Sequence, residues 1–181
     1  CDTDRVGFVW NEKSGGTNGI GTSILTGKAT TVYLNEHFFA DLTVQACAAA
    51  PFFDPDGDLL GIVNLSTRNP AIAESTHRIV FEIARNTARR LEAQAFRDRF
   101  PREYLMQFGH GTTAEMLAVD EDFRVVGATR ATRERLSLTE SSIGNRSLWA
   151  VFEKPRSLAS VDGLCDLPAS LRNLVTGEAI S

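Results

Sequence analysis

The segment "QACAAAPFFDPDGDLLGIVNLST", residues 45 to 67, constrains the fold more than any other stretch of the chain. Two apolar runs, 46 to 53 and 59 to 65, flank "DPDGD". Asp-Pro and Asp-Gly in one short loop are strong turn chemistry. Proline pre-sets one backbone angle, aspartate accepts nearby N–H bonds, and glycine reaches the left-handed region. A β-hairpin is expected. Both runs are nearly continuous in apolar character, so both strands are expected to be covered on both faces. Asn64 is the polar interruption of the second run.

Upstream, "SGGTNGIGTSILTGK" places Gly15, Gly16, Gly19 and Gly21 within seven residues. Thr17 or Asn18 can cap a helix here. Ile20, Ile24 and Leu25 share one face, and Gly27 is placed to end it. "ATTVYL", residues 29 to 34, reads as a strand, and "NEHFF" as the start of a short helix capped by Asn35. Downstream, a long amphipathic helix is expected from about residue 75 to 99, before Pro101. Val80, Ala84, Thr87 and Leu91 follow 4-3-4 spacing, with Ile79 and Ile83 beside them. Its Arg- and Glu-rich second half is expected to project as a linker or pair with a partner helix.

A second unit starts near residue 103. "AEMLAVDEDFRVVGATRATRERLSL" reads as strand, turn, strand and helix, and "LWAVF" ends that block. The chain opens on "CDTDRV" without Met and stops at "GEAIS", so it is expected to be a piece of something longer.

At 43% hydrophobic and 23% charged residues, 181 residues can build a real core. A net charge of −4 does not favour nucleic acid as the partner. No apolar run reaches the roughly 20 residues of a membrane helix. Three cysteines (Cys1, Cys47 and Cys165) without CxxC spacing argue against a disulfide framework or a zinc site, and for a cytoplasmic setting.

The glycine loop fails both phosphate-binding patterns. Gly16 and Gly21 have the Walker A spacing, but Thr22 and Ser23 follow where Lys is required. Gly19 and Gly21 are followed by Ile24 where a dinucleotide loop needs its third glycine. A tight loop feeding a helix remains, with or without a pocket beneath it. His37, His77 and His110 are far apart, too few for a metal site. His37 reads as a capping or core-edge histidine or as a polar contact in a small-molecule pocket. A Cys47–His37 nucleophile pair has no orienting third group, and Cys47 sits in what reads as a structural strand. "GHGTT", residues 109 to 113, carries no motif.

Taken in order, "GGTNGIGTSILTGK", "NEHFF" and "CAAAPFFDPDGDLLGIVNLS" resemble the GAF domain of sigma-54-dependent transcriptional activators, the acetoin-catabolism regulators above all. The likeness covers residues 7 to about 95. Residues 112 to 154 resemble, less specifically, the PAS-like domain that follows GAF in those regulators. Ala48 stands where the family usually has Ser, Phe52 where it often has Ile, and Asn64 where an acidic residue is common. The first strands of a GAF sheet lack counterparts, and the PAS-like unit looks incomplete.

The resemblance implies an α+β chain: a GAF domain, an antiparallel sheet flanked by helices (1–99), joined by the long helix to a PAS-like unit (103–181). It implies a sensor region, not an enzyme, with no cofactor. A small alcohol, ketone, hydroxyketone or small aromatic would bind, and a homodimer is expected. DNA and RNA polymerase would be reached only through other domains. The ligand-binding candidates are Trp10, Asn18, His37, Phe38, Cys47 and Asn64. One alternative is a ligand-free interaction or dimerisation module whose pocket is filled by its own Phe52 and Phe53. Another is a relative of the free-methionine-sulfoxide reductases, which need more cysteines near the pocket.

Overall fold

In a computed structural model of the chain, residues 6–108, 115–155 and 170–180 are described. Cys1, Cys165 and "GHGTT" with His110 lie outside the described residues. Two compact units result: Cys1–Phe52 with Leu59–Ala88, and Phe53–Asp58 with Arg89–Ser181. The division falls inside the long helix, where the sequence suggested a boundary after it. Both units mix helix with antiparallel sheet, so the chain is α+β. Among the described residues, no helix is long and apolar enough to cross a membrane.

The first unit holds helices α1 (Glu12–Gly15) and α2 (Gly19–Thr26), then strand β1 (Thr30–Tyr33). Strands β2 (Ala46–Phe53) and β3 (Leu59–Thr67) follow, and helix α3 runs from Glu74 to Arg99. The sheet order is β1-β2-β3, with Val32 opposite Cys47 and Thr30 opposite Ala49. The turn closes as its chemistry requires. The Asp54 side chain accepts the N–H groups of Asp56 (2.9 Å) and Asp58 (2.8 Å), and Gly57 takes φ +95°.

Central strand β2 is buried on both faces, and period two sorts its side chains. Cys47 and Ala49 face α2, where Ser23 donates to the Ala49 carbonyl at 3.3 Å. A Cβ on Gly19 would lie 3.1 Å from the Cys47 Cβ and 3.2 Å from the Ala49 Cβ, so glycine is what lets α2 approach this closely. Ala48 and Ala50 face α3 and pack on Ala84 and Ala88, with Val63, Leu65, Val80 and Phe81 around them. The expectation of two doubly covered strands holds for β2 only. β3 has a sheet neighbour on one side, and its Leu59 and Leu60 are exposed.

Small residues at these contacts also correct the helix faces. The inner face of α2 is Gly19 and Ser23, while Ile24 and Leu25 point outward. On α3 the buried positions are His77, Ala84, Ala88 and Phe96, with Val80 and Phe81 partly covered; Ile79, Ile83, Thr87 and Leu91 are exposed. The segment after β1 is not a helix capped by Asn35. It forms two single 3-10 turns, Leu34–Glu36 and Ala40–Leu42, and the Glu36 carboxylate accepts the Tyr33 N–H at 2.6 Å.

The second half of α3 does not project. Ala93 and Phe96 pack with Phe100, Met116, Ala118 and Val126 in the second unit. That unit carries the antiparallel sheet β4 (Tyr104–Gln107), β5 (Met116–Val119) and β6 (Val125–Ala128), then helix α4 (Arg130–Leu136). A short pair, β7 (Leu171–Arg172) and β8 (Ala179–Ile180), adds Leu171 and Ile180 to its main core beside Leu117, Val125, Leu148 and Phe152. A Cβ on Gly127 would overlap the ring of Phe100. Gly127→Ala is expected to cost about 1–3 kcal/mol of stability, read as a lowered melting temperature in calorimetry.

His77 is buried where α3 begins. It hydrogen-bonds the Thr31 hydroxyl and lies 5.2 Å from the Tyr33 ring, whose hydroxyl donates to the Ile72 carbonyl at 2.6 Å. Burial pushes the imidazole pKa below 6.5; His37 adds to this, and Glu36 and Glu74 oppose it. The unfolded chain therefore takes up a proton that the folded chain resists, and stability falls as pH drops below about 6.5. Between about pH 7.5 and 5.5, wild type is expected to lose more melting temperature than His77→Gln. Parallel pH curves for the two proteins would remove His77 from the linkage.

Candidate functional site

Three of the six candidates meet on the sheet face beneath α2. His37 is buried, and its Nε2 lies 3.4 Å from the Cys47 Sγ. Its Nδ1 lies 2.9 Å from the Leu34 carbonyl, which only accepts, so Nδ1 carries the hydrogen. In the neutral ring Nε2 then accepts, and the Cys47 thiol donates to it. The sulfur itself accepts from the Ser66 hydroxyl at 3.2 Å, and the nearby Gln45 side chain pulls the thiol pKa down. Asn64 donates to the Ser66 oxygen at 2.9 Å.

Burial pushes the Cys47 thiol pKa up, more than Ser66, the Gly19 backbone and Gln45 pull it down. A protonated thiol is a poor nucleophile and metal ligand. Among the described residues, no three His, Cys, Asp or Glu side chains gather as a metal site would require. The arrangement can bind through hydrogen bonds, and it has no activated attacking group.

The other three candidates stand apart from this cluster. Asn18 is buried, but both ends of its amide serve the loop: Oδ1 accepts the Gly21 N–H at 2.7 Å and Nδ2 donates to the Gly16 carbonyl at 2.8 Å. Trp10 lines an open, largely apolar cleft of about 470 Å³ on the outer side of α2, with Val9, Gly21, Ile24 and Leu25. Phe38 is 75% exposed and stacks edge-on against Phe39 at 5.4 Å. Phe52 and Phe53 do not fill the space under α2. Phe52 packs on the α3 side, and Phe53 lies under the Arg130 guanidinium at 4.9 Å.

Sequence reading missed Gln45 and Ser66. The signal for Ser66 was present, because it is two residues from Asn64 on a strand and so shares its face. Gln45 is the one polar residue heading the apolar run, and it read as strand entry.

Residues 3–93 match the family model described as "MimR, N-terminal domain". The chain belongs to the MimR N-terminal domain family. This MimR-type domain is 31% identical, over 145 residues and 77% of the chain, to the acetoin catabolism regulatory protein of Cupriavidus necator; the match covers 21% of that protein. It is 31% identical, over 87 residues and 48% of the chain, to the propane 2-monooxygenase operon transcriptional activator MimR of Mycolicibacterium smegmatis, 14% of that protein. The match thus spans about a fifth or less of these relatives' length. A solved E. coli DhaR(N)–DhaL complex matches over 94% of this chain and 60% of that one, at 19% identity and a TM-score of 0.44. The acetoin-regulator likeness read from the motifs agrees with the named relatives.

In the MimR-type domain as folded, the Cys47-containing peptide is expected to react with iodoacetamide at least about tenfold more slowly than in the urea-unfolded chain at equal pH. Equal rates by mass spectrometry would show that the thiol is not held protonated and enclosed.

Proposed function

We propose that the chain is the signal-sensing region of a bacterial, cytoplasmic, sigma-54-dependent transcriptional activator. A GAF-type domain (1–99) takes a small metabolite, and a PAS-like domain (103–181) follows it. Contact with DNA and RNA polymerase belongs to parts of the protein outside this chain. The region is regulatory and not an enzyme.

The observation that carries this reading is the hydrogen-bonded polar cluster in which buried His37 and Cys47 meet the exposed Ser66 and Asn64 on the sheet face beneath α2. Small-molecule sites characteristically combine apolar walls with a few convergent polar groups. Family membership and relatives named as activators of catabolic operons support the regulatory role. Binding shifts a population between two arrangements of the segment 34–45 over the sheet. Helix α3, which contributes to the cores of both units, carries the change onward. The ligand moves that equilibrium only by its difference in affinity for the two states.

A second reading has one observation in its favour. Ile79, Ile83 and Leu91 form an exposed apolar row on α3, which suits a homodimer or a docked partner without any ligand.

A thermal-shift screen against small alcohols, ketones, diols and phenols separates the two readings. A ligand that binds only the folded state raises the melting temperature in a saturable way. For a compound that does so, His37→Ala is expected to weaken binding about tenfold or more, with the fold retained. Trp10→Ala does the same if the outer cleft is used. Unchanged binding in both variants removes both places from the site. No shift from any compound, with a tight dimer in sedimentation, favours the interaction module.

A further inference from the structure

We infer that Gln45 sets the specificity of this site by requiring a hydrogen-bond donor, a hydroxyl or N–H, from a neutral ligand; the inference rests on the metabolite-sensor reading above. Gln45 stands at the junction of the covering segment and β2. Its N–H donates to the Leu42 carbonyl and its carbonyl accepts from the Leu34 N–H, both at 2.9 Å. Its backbone is thus tied to both turns of the cover. The side chain is only 7% exposed.

The two ends of its amide differ. One end lies beside the Cys47 thiol and pulls its pKa down. That end is the NH2, because the thiol's own hydrogen points to His37 and the sulfur can only accept. The other end, Oε1, is buried with no hydrogen-bond partner. Buried polar atoms without partners are rare in folded proteins and call for an explanation. The neighbouring groups cannot supply the missing donor. The ring nitrogens of His37 face Leu34 and Cys47, the Ser66 hydroxyl faces the sulfur, and the Asn64 amide nitrogen faces Ser66.

A ligand that brings a donor completes the network. One that brings only lone pairs, a ketone or an ether, sets oxygen against oxygen and leaves Oε1 unpaired. A site with a buried polar group rejects the analogue that cannot pair with it far more strongly than one that differs by a methylene. No fully charged side chain belongs to the cluster, so an ionised ligand would go without compensation there.

The test is the thermal-shift panel run on the whole chain as matched pairs of similar shape: propan-2-ol with propanone, butane-2,3-diol with butane-2,3-dione, phenol with methoxybenzene. The hydroxyl member of the binding pair is expected to bind at least about tenfold tighter. Gln45→Met removes that difference, and Gln45→Glu, which keeps an acceptor, retains a preference for the hydroxyl member. Equal affinity for both members in the wild type overturns the role of Gln45 and leaves the sensor reading standing. No binding by any compound defeats the sensor reading and the assignment together. If Gln45→Met does not fold, the wild-type comparison decides alone.

Discussion

The close approach of two helices to the two faces of β2 is the constraint on which the first unit depends. Five consecutive residues, Ala46 to Ala50, are buried with no side chain larger than Cys47. Alanine is a poor strand former by propensity. Here it is kept because Gly19 and Ser23 press on one face and Ala84 and Ala88 on the other. An added methyl at Gly19 would sit 3.1–3.2 Å from Cβ atoms of the strand, and close-packed interiors do not absorb such additions without backbone shifts. Small residues on three elements are one packing solution, and none of them can be enlarged independently.

That solution also determines where a site can lie. With alanines filling the middle of β2, the polar groups collect at its entry, around Cys47. There β1 ends, the two 3-10 turns lead back to Gln45, and Ser66 comes in from β3. The large apolar side chains that would otherwise fill the inner face of α2 are turned outward. Ile24 and Leu25 therefore line the outer cleft with Trp10. One packing requirement thus accounts for both the polar cluster around the buried Cys47 and the apolar cleft on opposite sides of α2.

Much of this was legible in the sequence, and the failures share a cause. The Asp-Pro…Asp-Gly turn identified the hairpin, and Asn18 and Gly27 bounded α2, because these are local effects of side-chain hydrogen bonds and backbone angles. His37, Cys47 and Asn64 were chosen on a family likeness and meet in the structure, although they come from three segments. The errors concern which face is inward. Periodicity assigns large apolar side chains to the core, so Ile79, Ile83, Leu91, Ile24 and Leu25 were read as inward. Contacts between small residues reverse that assignment, and only the partner strand reveals it. Gln45 was missed for a related reason. Its value lies in an atom left without a partner, which is a property of the whole packed neighbourhood and not of any local pattern.

The protonation state of Cys47 bears on the choice between binding and catalysis. A cysteine beside a histidine resembles a nucleophile pair, and the hydrogen bonds even run in the direction such a pair uses, but the thiol is not activated. The histidine hydrogen is held at Nδ1 by the Leu34 carbonyl, and burial keeps the proton on sulfur. A catalytic thiol needs an electropositive, partly open surrounding, whereas this thiol sits in a neutral and nearly closed one. Such a setting suits a hinge point for recognition. Its groups are oriented by one another, and they share hydrogen bonds with the segment from Leu34 to Gln45. On the proposed reading, a ligand that engages Gln45 changes the balance of that network without chemistry. Because the backbone of Gln45 is bonded to Leu34 and Leu42, a change there acts on both turns of the cover at once.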